Sequence, residues 1–192
     1  MAVMTEPVGI AEGRPFTVCD LEAMPDDGKR YELIDGMLLV TPAPGWSHQE
    51  MAGRLYILLD RVCPPDLRVL IAPFAVCTSM TNEVQPDVLV ARYVDLTEAS
   101  LPVAPVLAVE VLSSSTGLKD RNFKKAHYER IGVQSYWILD PREPGGMDVY
   151  ELDGDGKYTL TASVVGDEVL PVHRPFAVRI SPARLLDRLR PA

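Results

Sequence analysis

An acid in the middle of an aliphatic run is the feature that most restricts this chain. The segment PVLAVEVL, residues 105–112, reads as a strand buried on both faces, yet Glu110 sits inside it. Burying an unpaired carboxylate costs several kcal/mol unless it is protonated, paired or bound to a metal. A sheet built around this strand must therefore supply Glu110 with a partner. The stretch from Pro86 to Asp140 holds the candidates: QPDVLVAR, the charged run LKDRNFKKAHYER, and SYWILDP.

The charged run predicts a helix over 119–131 that Gly132 closes. With about 3.6 residues per turn, Phe123, His127, Tyr128 and Ile131 span an arc roughly 140° wide. Asp120 and Lys124 fall inside that arc, whereas Lys119, Asn122, Lys125, Glu129 and Arg130 fall outside it. This places Lys124 toward the sheet and Glu110. The plainer reading is an exposed i, i+4 pair between Asp120 and Lys124, worth about 0.2–0.5 kcal/mol. Asp87, which follows Pro86 at the head of VLVAR, would by itself be a turn or capping carboxylate. If its strand neighbours that of Glu110, the two acids converge at one edge of the sheet and repel unless a cation binds between them. A few oxygen donors with room left for water suit Mg²⁺ or Mn²⁺ better than zinc.

Pro86-Asp87, the acid in AVEVLS and an inward lysine resemble the PD-(D/E)xK nuclease superfamily. The ordered series YELIDG, TPAPGWSHQ, PDVLV, AVEVLSSST, DRNFKKAHY and GVQSYWILDP is similar to a bacterial restriction endonuclease family of that superfamily, over most of residues 30–150. The resemblance implies an α/β (α+β) fold, a restriction-endonuclease-like mixed β-sheet flanked by helices. It also implies an endonuclease that hydrolyses DNA phosphodiester bonds with a divalent metal. Asp87, Glu110 and the backbone carbonyl of Val111 would hold Mg²⁺ or Mn²⁺, and Lys124 would position water or stabilise transition-state charge. There is one departure: the superfamily's lysine stands two residues after the acid, where this chain has Leu112. The narrower family implies that the lysine has moved to Lys124, with Lys125 less favoured. Glu32, in YELIDG, matches an additional acidic position of the fold; its other reading is an exposed strand carboxylate.

Around this centre, Thr17 and Asp20 form a capping-box pattern that opens a short helix, and Asp35-Gly36 predicts a type I′ hairpin. Ser47 and Glu50 form a second capping-box pattern before a helix whose apolar stripe is Met51, Leu55, Leu58, Leu59 and Val62. The C-terminal third reads as an added β-meander ending in a short helix from Ser181. His48 is expected to serve the helix end, His127 to be a core histidine, Tyr136 and Trp137 to pack in the core, and Ser113 to Thr116 to form a polar loop. Cys19, Cys63 and Cys77 lack disulfide or zinc-knuckle spacing, which predicts reduced core thiols in a cytoplasmic protein. No apolar run reaches membrane-spanning length.

The expected organisation is a flexible 1–12 followed by one domain over 13–192. A net charge of −8 disfavours grasping nucleic acid through bulk electrostatics, so a phosphate-bearing partner requires a local basic patch or a metal. Cutting two strands of a DNA substrate implies a homodimer. The competing class is a non-catalytic scaffold, also a homodimer, on the same fold.

Overall fold

The computed structural model describes residues 13–113 and 118–189, without the side chains of 118–121 and 187–189. The expected flexible stretch 1–12, the loop residues Ser114, Ser115 and Thr116, and the Asp120 side chain lie outside the described residues.

Helix α1 (Val18–Glu22) begins as its sequence requires: the Thr17 N–H and hydroxyl donate to the Asp20 carboxylate at 2.7 and 2.8 Å. Strands β1 (Arg30–Ile34) and β2 (Met37–Thr41) form the expected hairpin. Asp35 and Gly36 both take positive φ, 52° and 74°, the pair that a type I′ turn demands. A Cβ at Gly36 would strike Pro15, so this turn also carries the N-terminal segment against the hairpin. Helix α2 (Trp46–Asp60) departs from expectation at its start. Its N-cap is Gly45, with no side-chain cap, because the Pro42–Pro44 run delivers an extended chain directly into Trp46. Ser47 is therefore inside the first turn, and Glu50 accepts a hydrogen bond from Arg54 at 2.6 Å.

The chain continues through β3 (Leu67–Ile71), β4 (Ala75–Ser79), β5 (Asn82–Val84), β6 (Val88–Arg92), β7 (Ser100–Leu101), β8 (Leu107–Val111), α3 (Leu118–Ile131) and β9 (Ser135–Asp140). It closes with β10 (Gly146–Leu152), β11 (Tyr158–Val165), β12 (Leu170–Val172), β13 (Val178–Ile180) and a 3-10 segment, Ala183–Leu189. A six-stranded mixed sheet runs β11-β10-β9-β8-β6-β3, and a five-stranded sheet runs β2-β1-β5-β4-β7. Helix α3 is the crossover between the parallel neighbours β8 and β9. The meander is shorter than expected: β9, β10 and β11 are consecutive neighbours, but β12 pairs with β13 instead. Pro171 lacks the N–H that a longer ladder through β12 would need.

Strand alternation divides the core. Val88 and Val90 of β6, Val109 and Val111 of β8, and Trp137 and Leu139 of β9 pack with Met51, Leu55 and Leu59 of α2. The intervening Leu89, Ala108, Tyr136 and Ile138 pack with Tyr128 and Phe123 of α3 and with Val76 and Val84 of the second sheet. The period of two therefore turns Glu110 toward α3. Strands β6 and β8 are antiparallel neighbours with Val88 opposite Val109, so the Asp87 end of β6 lies beside the Glu110 end of β8. Tyr136 and Trp137 are core residues, as expected. The cysteines are not: Cys19 is exposed on α1 and Cys63 and Cys77 are half-buried, all with free thiols.

Candidate active site

The acid in the aliphatic strand has found its partners. Lys124 of α3 donates from Nζ to Glu110 at 3.1 and 3.2 Å and to Glu32 of β1 at 2.9 Å. The Tyr128 hydroxyl, one turn along α3, donates to Glu110 at 2.7 Å. Tyr128 is fully buried, and a buried phenol needs such an acceptor. Glu32 is 1% exposed, which rules out the exposed-carboxylate reading; its Oε1 also accepts the Gln85 N–H at 2.8 Å. Lys125 lies outside the cluster, with its ammonium 3.8 Å from the centre of the Tyr150 ring.

Asp87 is held from three sides. Arg30 of β1 donates to Oδ1 at 3.0 Å, and Oδ2 accepts from His48 Nε2 at 2.9 Å and from the Val111 N–H at 2.8 Å. His48 thus joins the site rather than serving the helix end, because its place in the first turn of α2 directs the ring at β6. Its other ring nitrogen, Nδ1, is buried without a hydrogen bond. Neither Arg30 nor His48 is a partner that sequence spacing exposes: their contacts with Asp87 span 57 and 39 residues. The hairpin alternation that places Glu32 inward does place Arg30 on the same face, and that was the available signal.

These residues line a cleft of about 320 Å³ together with Leu112, Val111, Tyr136, and Arg142 at its rim. Burial would raise the Asp87 carboxyl, but the His48 hydrogen bond and the charges of His48, Arg30 and Lys124 hold it at about 2. Glu110 moves the other way, to about 7, because burial and the nearby Asp87 and Glu32 outweigh Lys124 and Tyr128. Burial alone would lower Lys124, yet Glu110, Glu32 and Asp87 push it above the ordinary lysine value, so it stays charged. Three carboxylates thus share one ammonium and one guanidinium, and Glu110 is where a proton most readily relieves the surplus negative charge.

The donor chemistry fits a hard divalent cation. An ionised carboxylate offers about four lone-pair sites. Asp87 and Glu110 each have three hydrogen bonds, and both Glu32 oxygens lie 2.9 Å from the Lys124 ammonium. All the uncommitted acceptors are oxygens, the ligand type of Mg²⁺ and Mn²⁺. Among the described residues no three His, Cys, Asp or Glu side chains converge tightly enough to chelate an ion as they stand.

His127 is a buried neighbour of this cluster, as expected, and accepts from Arg130 at Nδ1, 3.2 Å away. Burial first, then the Arg130 charge, lowers it from 6.5 to about 4. Between those values the unfolded chain binds the proton and the folded chain does not. The His127 contribution to stability is therefore full above pH 6.5, declines as pH falls toward 4 and levels off about 3 kcal/mol lower, while Glu110, raised from 4.5 to about 7, contributes in the opposite sense over much of that range. Urea unfolding between pH 4 and 7 should show the His127 effect as a difference: wild-type stability relative to His127→Gln should fall by about 3 kcal/mol from pH 7 to pH 4.

Comparison with known proteins agrees with this architecture. The model of the Uma2 family, described as "Putative restriction endonuclease", matches residues 18–185. Among solved structures, the chain is similar to a crystallised "putative nuclease belonging to DUF820" from Anabaena variabilis ATCC 29413. The identity is 21% and the TM-score 0.70, over 92% of this chain and 100% of that one. At that identity the likeness is one of fold, and the fold is restriction-endonuclease-like α+β. No curated protein matches. Also, no helix among the described residues is long and apolar enough to cross a membrane. The family match spans nearly all of the described residues, and the chain belongs to the Uma2 family.

Proposed function

We propose that this protein is a divalent-metal-dependent endonuclease that hydrolyses DNA phosphodiester bonds. The observation that carries the reading is the meeting of Glu32, Asp87 and Glu110 around Lys124 in one cleft. Asp87 and Glu110, with the Val111 carbonyl, would hold Mg²⁺ or Mn²⁺, which when bound supplies Lewis-acid polarisation of the scissile phosphate. The protein's own contribution is positional. Arg30, His48 and the Val111 N–H fix the Asp87 carboxylate, and Tyr128 fixes Glu110. Lys124 places a permanent positive charge where the phosphate's equatorial oxygens gain charge, and it can orient the attacking water. Glu32 holds Lys124 in that position through its 2.9 Å contact.

The direct test incubates supercoiled plasmid with the protein and Mg²⁺ or Mn²⁺. Nicked and linear products are expected, and EDTA, Asp87→Ala and Glu110→Ala should each remove them. Undiminished cleavage by both variants would sink the assignment. Leu112 lines the same cleft at the superfamily's usual lysine position. If the lysine's function has moved to the helix, Leu112→Lys should restore part of the activity lost in Lys124→Ala, measured as the single-turnover nicking rate. One observation favours a non-catalytic scaffold instead: the Lys124 ammonium is already committed to two of the acids, Glu32 and Glu110. Calorimetry that detects no Mg²⁺ or Mn²⁺ binding at millimolar concentration would select that reading. Because a duplex has two strands to cut, we propose a homodimer, which sedimentation measures directly.

A further inference from the structure

A second groove, of about 740 Å³, runs along the outer flank of α2, bounded by β13 and the 3-10 segment Ala183–Leu189. Its polar lining is mostly arginine: Arg54, Arg61, Arg179 and Arg184. In a chain of net charge −8 this concentration is unexpected. Only Arg54 has an ion pair among the described side chains, to Glu50 at 2.6 Å, and among the described residues Glu50 is the sole acid in the lining. Arg61, Arg179 and Arg184 are exposed and make no ion pair among the described side chains. Three guanidinium groups that lack carboxylate partners among the described side chains along one groove are arranged for a ligand that brings repeated negative charge.

The groove begins on α2 next in sequence to residues that line the candidate active site. Ser47 and His48, in the first turn of α2, line the cleft, while Gln49 and Glu50 begin the groove, which follows the helix to Arg61. At about 1.5 Å per residue, that path is on the order of 16 Å long. One strand of duplex DNA places a phosphate about every 3.4 Å of axis, so the path spans roughly five steps.

We infer that the four-arginine groove along α2 is the phosphate-backbone track that seats a nucleic acid duplex whose scissile phosphate lies in the cleft. This rests on the nuclease reading above and supplies the local basic patch that an acidic chain needs. Gln49, also in the lining, provides a neutral donor to a phosphate oxygen. None of the groove residues belongs to the Asp87–Glu110–Lys124 cluster, so binding and chemistry are separable.

The experiment compares wild type with R61Q/R179Q/R184Q by fluorescence anisotropy on a labelled 20-base-pair duplex, over a range of salt. The triple variant is expected to bind at least about tenfold more weakly at low salt. The slope of log affinity against log salt should fall by about 0.9 for each arginine that held a phosphate, about 2.7 in all. The R61K/R179K/R184K variant, which keeps the charge, should recover most of the affinity. A parallel assay follows hydrolysis of bis(p-nitrophenyl) phosphate with Mn²⁺, a diester too small to reach the groove, and the triple glutamine variant should retain it. Unchanged duplex affinity and salt slope in that variant would overturn the track while leaving the nuclease reading intact. Failure of the wild type to hydrolyse either substrate while still binding duplex through the arginines would overturn the nuclease reading and support the track. Were the wild type to ignore DNA and form a dimer that the triple variant dissociates, the groove would be an interface between copies and the inference would fall.

Discussion

Lys124→Met is expected to lower the free energy of unfolding by about 3–5 kcal/mol, the usual result of removing one partner from a buried ion pair. The lysine side chain is only 13% exposed, and its ammonium is bonded to both Glu32 and Glu110. With it gone, Glu32, Asp87 and Glu110 would face one another with Arg30 as the remaining permanent cation. Methionine keeps the approximate length and apolar packing of the stem, so the loss reports charge rather than a cavity. Urea denaturation without metal measures it. Millimolar Mg²⁺ should then raise the melting temperature of the variant more than that of the wild type, because a cation replaces the missing charge. A variant as stable as the wild type would mean that the three acids do not depend on this lysine.

Asp87→Asn should reduce DNA cleavage by about 10³-fold or more, corresponding to about 4 kcal/mol of lost transition-state stabilisation. The substitution is nearly isosteric, but it converts one acceptor oxygen into an N–H donor. Every neighbour of the carboxylate is already donating: Arg30 on one side, His48 and the Val111 N–H on the other. Whichever way the amide is turned, a donor meets a donor, at a cost of about 1–3 kcal/mol in stability. Nicking rate and urea midpoint, measured together, separate the two effects. Full activity with normal stability would remove Asp87 from the site.

Much of this site was legible because its residues break local rules. Glu110 stands out in an aliphatic strand, and the helical arc selects Lys124 without reference to Glu110's position. The contact between their side chains bears out both inferences. Glu32 was ambiguous because an acid at that place in a hairpin is ordinary, and only docking of β1 against the six-stranded sheet decides its burial. Arg30 and His48 were not legible as partners of Asp87. A basic residue in a strand or helix is unremarkable until tertiary structure gives it an acid. The early start of α2 followed from the proline run before Gly45 rather than from Ser47, since backbone restriction upstream overrode a side-chain pattern. The pairing of β12 with β13 likewise depended on one missing N–H at Pro171, which hydrophobic alternation does not register.

The hairpin strand β1 belongs to the five-stranded sheet, yet it supplies Arg30 to Asp87 and Glu32 to Lys124 on the other sheet's side of the cleft. The charge cluster is therefore closed only while the two sheets are docked, and its Arg30–Asp87 and Lys124–Glu32 bonds record that docking. The activity proposed for the cleft would then depend on contact between two sheets of a single chain. Conditions that loosen the hairpin sheet should silence the cleft while the strands around Trp137 still protect their amides from hydrogen exchange.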